Sequence, residues 1–311
     1  MTVKSSTALF GALLLAWARL AEAGDHITIF DYPGADRTGL NGINDRGVAV
    51  GGALIFPDGF SFLLNLRTDG LTLLTPPPVD ALMFTNGINN TGVIVGDLLN
   101  SDGLTGKGFI RQPDGTFAFF TNPLCQESMT SRAINESGIV TGNCNAATGT
   151  IGFLYNSNTG KFRTIAPAPI VFMHGINVHG TAVGQAMFPV DADPCGGGPE
   201  GATLIEYGLV RWPNGTITLF QVNHQQTDAG DIDDEGLIVG SAFDPTANTD
   251  RLFATHVKNE PCHFRSIPRR NFLSPPDTEV FVTGVNDHGR VVGIAFVSGE
   301  GPHGFFKALP P

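Results

Sequence analysis

Six times along its 311 residues the chain spells one nine-residue pattern: Ile or Val, Asn or Asp, two free positions, Gly, two more, Val or Thr, Gly. The copies occupy 43–51 (INDRGVAVG), 88–96 (INNTGVIVG), 134–142 (INESGIVTG), 176–184 (INVHGTAVG), 232–240 (IDDEGLIVG) and 285–293 (VNDHGRVVG). A repeat at this spacing constrains the fold more than any other feature, because each copy must bury its apolar face against its neighbours. Successive copies start 45, 46, 42, 56 and 53 residues apart, the length of a propeller blade rather than of a solenoid coil.

The pattern has the chemistry of a tight hairpin. An Asn or Asp at the first turn position bonds backbone two residues on, and the Gly that follows takes the positive φ that ends a type I turn with a bulge. The closing Gly sits inside the next strand and marks a close backbone approach. A second hairpin follows, clearest in 108–120 (GFIRQPDGTFAFF) around Asp114-Gly115, with Asp69-Gly70, Gly160 and Asn214-Gly215 at the matching place elsewhere. Each repeat therefore reads as four short strands, a to d. The 28 residues from Gly284 lack a fourth strand, and the 18 from Gly24 to Asn41 hold a strand, 26–32 (HITIFDY), with no repeat before it. Joined, they make one repeat, which predicts a ring closed by the N-terminal strand and so without exposed edges. The expected fold is all-β: a six-bladed β-propeller of four-stranded blades spanning 24–311.

Composition agrees, with 40 Gly, 21 Pro and 15% charged residues in a chain that shows no long amphipathic helix. The first 23 residues read as a secretory signal peptide: Lys4 precedes an apolar stretch over 8–18, and Ala21-Glu22-Ala23 offers small residues for cleavage. About 11 apolar residues are too few to span a bilayer that needs roughly 20. The expected location is secreted, extracellular or periplasmic, without a membrane span. A net charge of −11 opposes nucleic acid as a partner.

The six I-N-x-x-G-x-x-V-G copies, with His303-Gly304-Phe305 in the last and Gly108-Phe109 and Gly152-Phe153 in others, resemble the bacterial extracellular HAF-repeat family. The likeness covers essentially the whole chain beyond residue 23 and implies a secreted propeller-like protein. It departs from that family's pattern in carrying the His once, at His303, which argues against a repeated functional role for it.

The short, alike a-b and c-d turns lie on one face and the long, varied d-a and b-c connections on the other, which makes the loop-bearing face the expected place for binding. On it, the residue before each Gly/Ala/Asp-Ile/Val pair should reach the central channel: Asn41, Asn86, Arg132, His174, Gly230 and Thr283. The ligand-binding candidates are Asn41, Asn86, Arg132, His174 and Asp228. The catalytic candidates are Arg132, which would neutralise a carboxylate or oxyanion, and His174 or His224 as general base, with Asp231 nearby. A channel of satisfied polar groups filled by water explains the same residues. The fourth repeat's insertion, 185–207, carries Asp191, Asp193, Glu200 and Glu206. Asp191 and Asp193 are the candidate Ca²⁺ ligands there, but the spacing matches no EF-hand and a solvated acidic loop accounts for them, so no cofactor is expected.

Cys125 and Cys144 share a face of the third repeat and are expected to pair, whereas Cys195 and Cys262 fall on opposite faces of neighbouring repeats and are expected to stay apart. No Gly-x-Ser-x-Gly elbow, Walker loop, HExxH helix or CxxC pair is present. The expected function is a secreted binding module for an extracellular carbohydrate or protein. The rivals are an extracellular hydrolase or lyase acting on a polymer, and a structural surface protein whose apolar c and d strands self-associate.

Overall fold

The computed structural model describes residues 26–56, 58–79, 81–100, 106–126, 129–196, 203–266, 272–275, 277–297 and 299–310. Residues 1–23, read above as a signal peptide, and Glu200 lie outside them. Strand β1 (Thr28–Phe30) comes first, and the hairpins follow in the order the repeat requires. β2 (Arg37–Ile43), β3 (Val48–Ile55), β4 (Asp58–Asn65) and β5 (Gly70–Leu73) form one antiparallel sheet; β6 (Ala81–Ile88), β7 (Ile94–Asn100), β8 (Gly106–Arg111) and β9 (Phe117–Phe120) form the next. The third repeat gives β10 (Met129–Ile134), β11 (Ile139–Ala146), β12 (Gly149–Asn156) and β13 (Lys161–Ile165). The fourth gives β14 (Ile170–Ile176), β15 (Ala182–Pro189), β16 (Leu204–Arg211) and β17 (Ile217–Val222). β18 (Thr227–Ile232), β19 (Ile238–Asp244), β20 (Thr249–Thr255) and β21 (Cys262–Arg265) follow, then β22 (Thr278–Val285), β23 (Arg290–Val297) and β24 (Pro302–Ala308).

The arrangement is an all-β propeller, with a corrected sheet count. Hydrogen bonding yields five sheets, not six four-stranded ones. The third and fourth repeats are joined through one parallel pair, Thr150↔Ile170, into a nine-stranded sheet that also contains β21. The fifth repeat keeps only β18, β19 and β20. Its expected fourth strand, β21, leaves the repeat and pairs in parallel with β17, Leu219↔Cys262 to Val222↔Arg265. The chain then returns to lay Phe272, Leu273 and Ser274 along β20, where Leu273 N donates to Leu252 O and Leu252 N to Ser274 Oγ. At the chain ends, β1 pairs antiparallel with β24 and supplies the fourth strand of the last sheet.

The core lies between neighbouring repeats. Among the described residues, clusters of buried side chains pack each repeat against the next; that between the first and second repeats, for example, joins Val50 and Leu74 to Ile88, Ile94, Leu98 and Phe109. The glycine that closes each motif serves this packing. At Gly142 a Cβ would stand 2.2 Å from Thr130 O and 2.4 Å from the Phe153 ring, so the strand-c phenylalanine can lie against strand b only where no side chain intervenes.

Candidate functional site

The innermost strand of every repeat carries a register shift at the same place: Leu40/Gly42, Thr85/Gly87, Ser131/Ala133, Met173/Ile176, Ala229/Asp231 and Val282/Gly284. The residues left out of the ladder are the six singled out above, with Gly175 beside His174. A bulge frees a residue from its partner strand and re-aims it. Asn41, Asn86, Arg132 and Thr283 line a cavity of about 80 Å³ on the propeller axis. Most then turn to the next repeat: Asn41 Nδ2 donates to Thr85 O (2.8 Å), Asn86 Nδ2 to Ser131 O (2.9 Å) and Thr283 Oγ1 to Leu40 O (2.7 Å). The axial cavity holds a few waters at most, and drug-sized ligands need several hundred Å³. Asn41, Asn86 and Thr283 are therefore seam-closing groups, and the axial cavity is too small for a drug-sized ligand.

His174 reaches the equivalent carbonyl of its next repeat and has a carboxylate beside it as well. Its Nδ1 lies 3.3 Å from Ala229 O in hydrogen-bonding alignment and 3.0 Å from Asp228 Oδ1 in a less aligned ion-pair contact. With the proton on Nδ1, Nε2 is left as the acceptor. Arg132, exposed in the neighbouring repeat, faces Asp97. Burial pushes Asp97 up to about 7 even though Ser131 N and Asn86 Nδ2 donate to it and Arg132 is close. Asp97 was not found from the sequence. Its signal was a carboxylate directly after the motif glycine, where other repeats have Gly52, Asn143, Gln185, Ser241 or Ile294.

Carboxylates gather on the fourth to sixth repeats. Burial, then Asp228 and Asp250, push Glu206 up to about 7, and burial followed by Glu279 and Asp228 raises Asp250. Asp231 is enclosed, and its burial pushes it up to about 7 against the N–H groups of Val285 and Ile232.

The remaining candidates are placed elsewhere. His224 occupies a two-residue turn with Asn223, at φ 55° and 54°, and stacks on Phe264 of β21 at 4.6 Å. That position is beside the outer strands, because Phe264 lies on β21, which extends the fourth repeat's sheet beyond β17. Asp193 Oδ1 accepts from Tyr207 Oη (2.7 Å) and Cys195 N (2.9 Å), which fixes the insertion. Among the described residues no group of three or more His, Cys, Asp or Glu is placed to hold a metal ion. Cys125 and Cys144 form a disulfide. Cys195 and Cys262 form another, against expectation: β21 carries Cys262 to the fourth repeat's edge, where the insertion meets it. No described helix is long and apolar enough to cross a membrane.

No family model matches the sequence, and comparison with curated proteins finds no match. Among solved structures the chain is similar to the β-propeller domain of the Trilobed protease from Pyrococcus furiosus, which is reported to have an open velcro topology. The two are 12% identical over 88% of this chain and 82% of that one, with a TM-score of 0.50. It is also similar to a catalytically inactive virginiamycin B lyase from Staphylococcus aureus bound to quinupristin, 10% identical over 91% and 99% of the two chains, TM-score 0.50. These likenesses show the propeller fold.

Proposed function

We propose that this protein is a secreted six-bladed propeller of the HAF-repeat kind that works as a binding module, taking an extracellular carbohydrate or protein on its loop-bearing face. In the six-blade count the nine-stranded sheet contributes two blades, and β18–β20 with Phe272–Ser274 make a third. The observation that carries the reading is where exposed apolar side chains lie. Phe56, Val79, Leu82, Phe84, Leu124, Val190, Leu204, Phe281 and Phe296 are exposed toward the loop-bearing end, whereas among the described residues the exposed large apolar side chains toward the turn end include Val178 and, on β5 beside a c-d turn, Leu71 and Leu73. Exposed apolar side chains grouped on one end of a fold mark interaction surfaces, and Arg132, His174 and Asp228 are polar groups on the innermost strands of the third to fifth repeats. The test is retention of a panel of polysaccharides and peptides on the purified protein. Retention lost in Phe84→Ala with Phe281→Ala and kept in Val178→Ala supports the reading; equal loss in both, or no retention, sinks it.

The His174–Asp228 pair supports a second reading as an extracellular hydrolase or lyase. An imidazole fixed through Nδ1 presents Nε2 as a general base, with Arg132 from the adjacent repeat, which lines the axial cavity, available to a developing negative charge. New fragments in the same panel, abolished in His174→Ala, would establish it.

A further inference from the structure

The turns of the six motifs are tied to one another in a circle. The motif asparagine accepts from the backbone of its own turn, as Val48 N donates to Asn44 Oδ1, and its amide then reaches the next turn. Asn44 Nδ2 donates to Asn89 O, Asn89 to Asn135 O, Asn135 to Asn177 O, Asn177 to Asp233 O, and Asn286 to Asn44 O. One link differs. The fifth repeat carries Asp233 where the others carry Asn, and an ionised carboxylate has no proton to give. Its Oδ1 accepts from Leu237 N (2.7 Å) as the asparagines do. By the equivalence of the turns, its second oxygen stands where an amide would donate, toward Asn286 O. That carbonyl accepts from Gly289 N within its own turn.

We infer that Asp233 is a proton-operated clasp: protonated, it donates to Asn286 O and completes the circle; ionised, it sets a carboxylate against a carbonyl and leaves this one link of the circle unmade. The seam between the fifth and sixth repeats is then held here by Asp234 N on Asp287 Oδ1 and Val285 N on Asp231 Oδ2. The surroundings favour the protonated form. Asp231, Asp234 and Glu235 flank it in its own turn, and Asp287 faces it from the sixth repeat with Asp45 behind. Opposing them are the N–H groups of Leu237 and Glu235, which donate to the carboxylate, and then His256. His179 and His288 sit in the adjoining turns, and Arg290 sends Nη1 to Leu66 O in the first repeat. Burial raises Asp233 above the usual carboxylate range, in keeping with the clasp. A raised folded-state value means stability present at acid pH and lost as pH climbs through that value.

Other buried carboxylates also titrate, so the clasp is read as a difference between variants. Melting of the full chain is compared at pH 5 and pH 8 for wild type, Asp233→Asn and Asn177→Asp. Asp233→Asn, which donates at any pH, is expected to melt roughly 2–4 °C above wild type at pH 8 and level with it at pH 5. Asn177→Asp is expected to introduce the same pH dependence at the seam between the fourth and fifth repeats. A constant offset for Asp233→Asn across pH, a lower melting point at pH 8, or an unchanged pH response in Asn177→Asp would overturn the clasp.

Discussion

The two ends of this propeller differ in how many of their side chains are occupied. At the turn end, the motif asparagines are bonded round a circle, and a second set runs beside them: Asp45 N donates to Asn90 Oδ1, Val178 N to Asp234 Oδ1, Asp234 N to Asp287 Oδ1 and Asp287 N to Asp45 Oδ1. At the loop end, phenylalanines are exposed and the connections differ from repeat to repeat. The repeated residues of the sequence therefore mark what holds the ring, and the residues that escape the repeat mark what is free to meet a ligand.

The sharpest way to break this comparison is at a motif glycine. Gly142→Val places a branched side chain into Thr130 O and the Phe153 ring, and is expected to cost about 4 kcal/mol or more, enough to abolish a cooperative urea transition. Gly52, one residue past the motif in the first repeat, has Phe60 O at 3.7 Å as its nearest atom. Gly52→Ala should shift the urea midpoint little. Equal loss at both positions would mean that the motif glycine has no special packing role.

Acidity separates the ends next. Asp97 and Asp231, both half-buried and pushed up to about 7 chiefly by desolvation, hold protons in the fold that they release when unfolded. Because the folded chain binds more protons, stability is fullest near pH 4 and declines toward pH 7, by up to about 1.4 kcal/mol per pH unit for each such group. Asp97→Asn keeps an acceptor for Ser131 N and should flatten part of this slope in melting curves taken from pH 4 to 8. An unchanged slope would show that Asp97 is ionised in the fold.

Much of the ring was legible because its causes are local. The six hairpins, the positive φ of Gly47, Gly92 and Gly138, the N-terminal closing strand and the Cys125–Cys144 pair all follow from residues near one another in sequence or one repeat apart. The fifth repeat was misread because a strand's partner is not written in the strand. That copy lacks the glycine found between strands c and d in each of the first four repeats, and Pro261 precedes β21. These were hints that the hairpin fails, but nothing in 262–265 names β17 as its partner. The bulges were also invisible, so the six residues beside the axis were found while their bonds across the seams were not. The asparagine was read as a turn former alone, and its amide supplies the seam as well.

The excursion of β21 gives the third prediction. The Cys195–Cys262 disulfide, with a separation of 67 residues, holds this strand to the insertion. Cys195→Ser with Cys262→Ser should cost about 2–4 kcal/mol and raise hydrogen exchange in β21 before it does in β18–β20. Uniform exchange across the fifth repeat would mean that β21 belongs to the common core.

The smallest effect on stability belongs to the loop end. Phe84 and Phe281 are 45% and 39% exposed, and Phe281 meets Phe296 edge-on at 5.7 Å. Removing side chains already half in water forfeits little burial, so Phe84→Ala and Phe281→Ala should each change unfolding free energy by no more than about 1 kcal/mol. Aromatic anchors of an interface lose far more affinity than stability when truncated. A ligand found on the panel should therefore bind these variants at least about tenfold more weakly while their melting points stay near wild type. Should stability drop and affinity hold, the loop end would be part of the ring's support, and the contrast between a structural end and a binding end would fail.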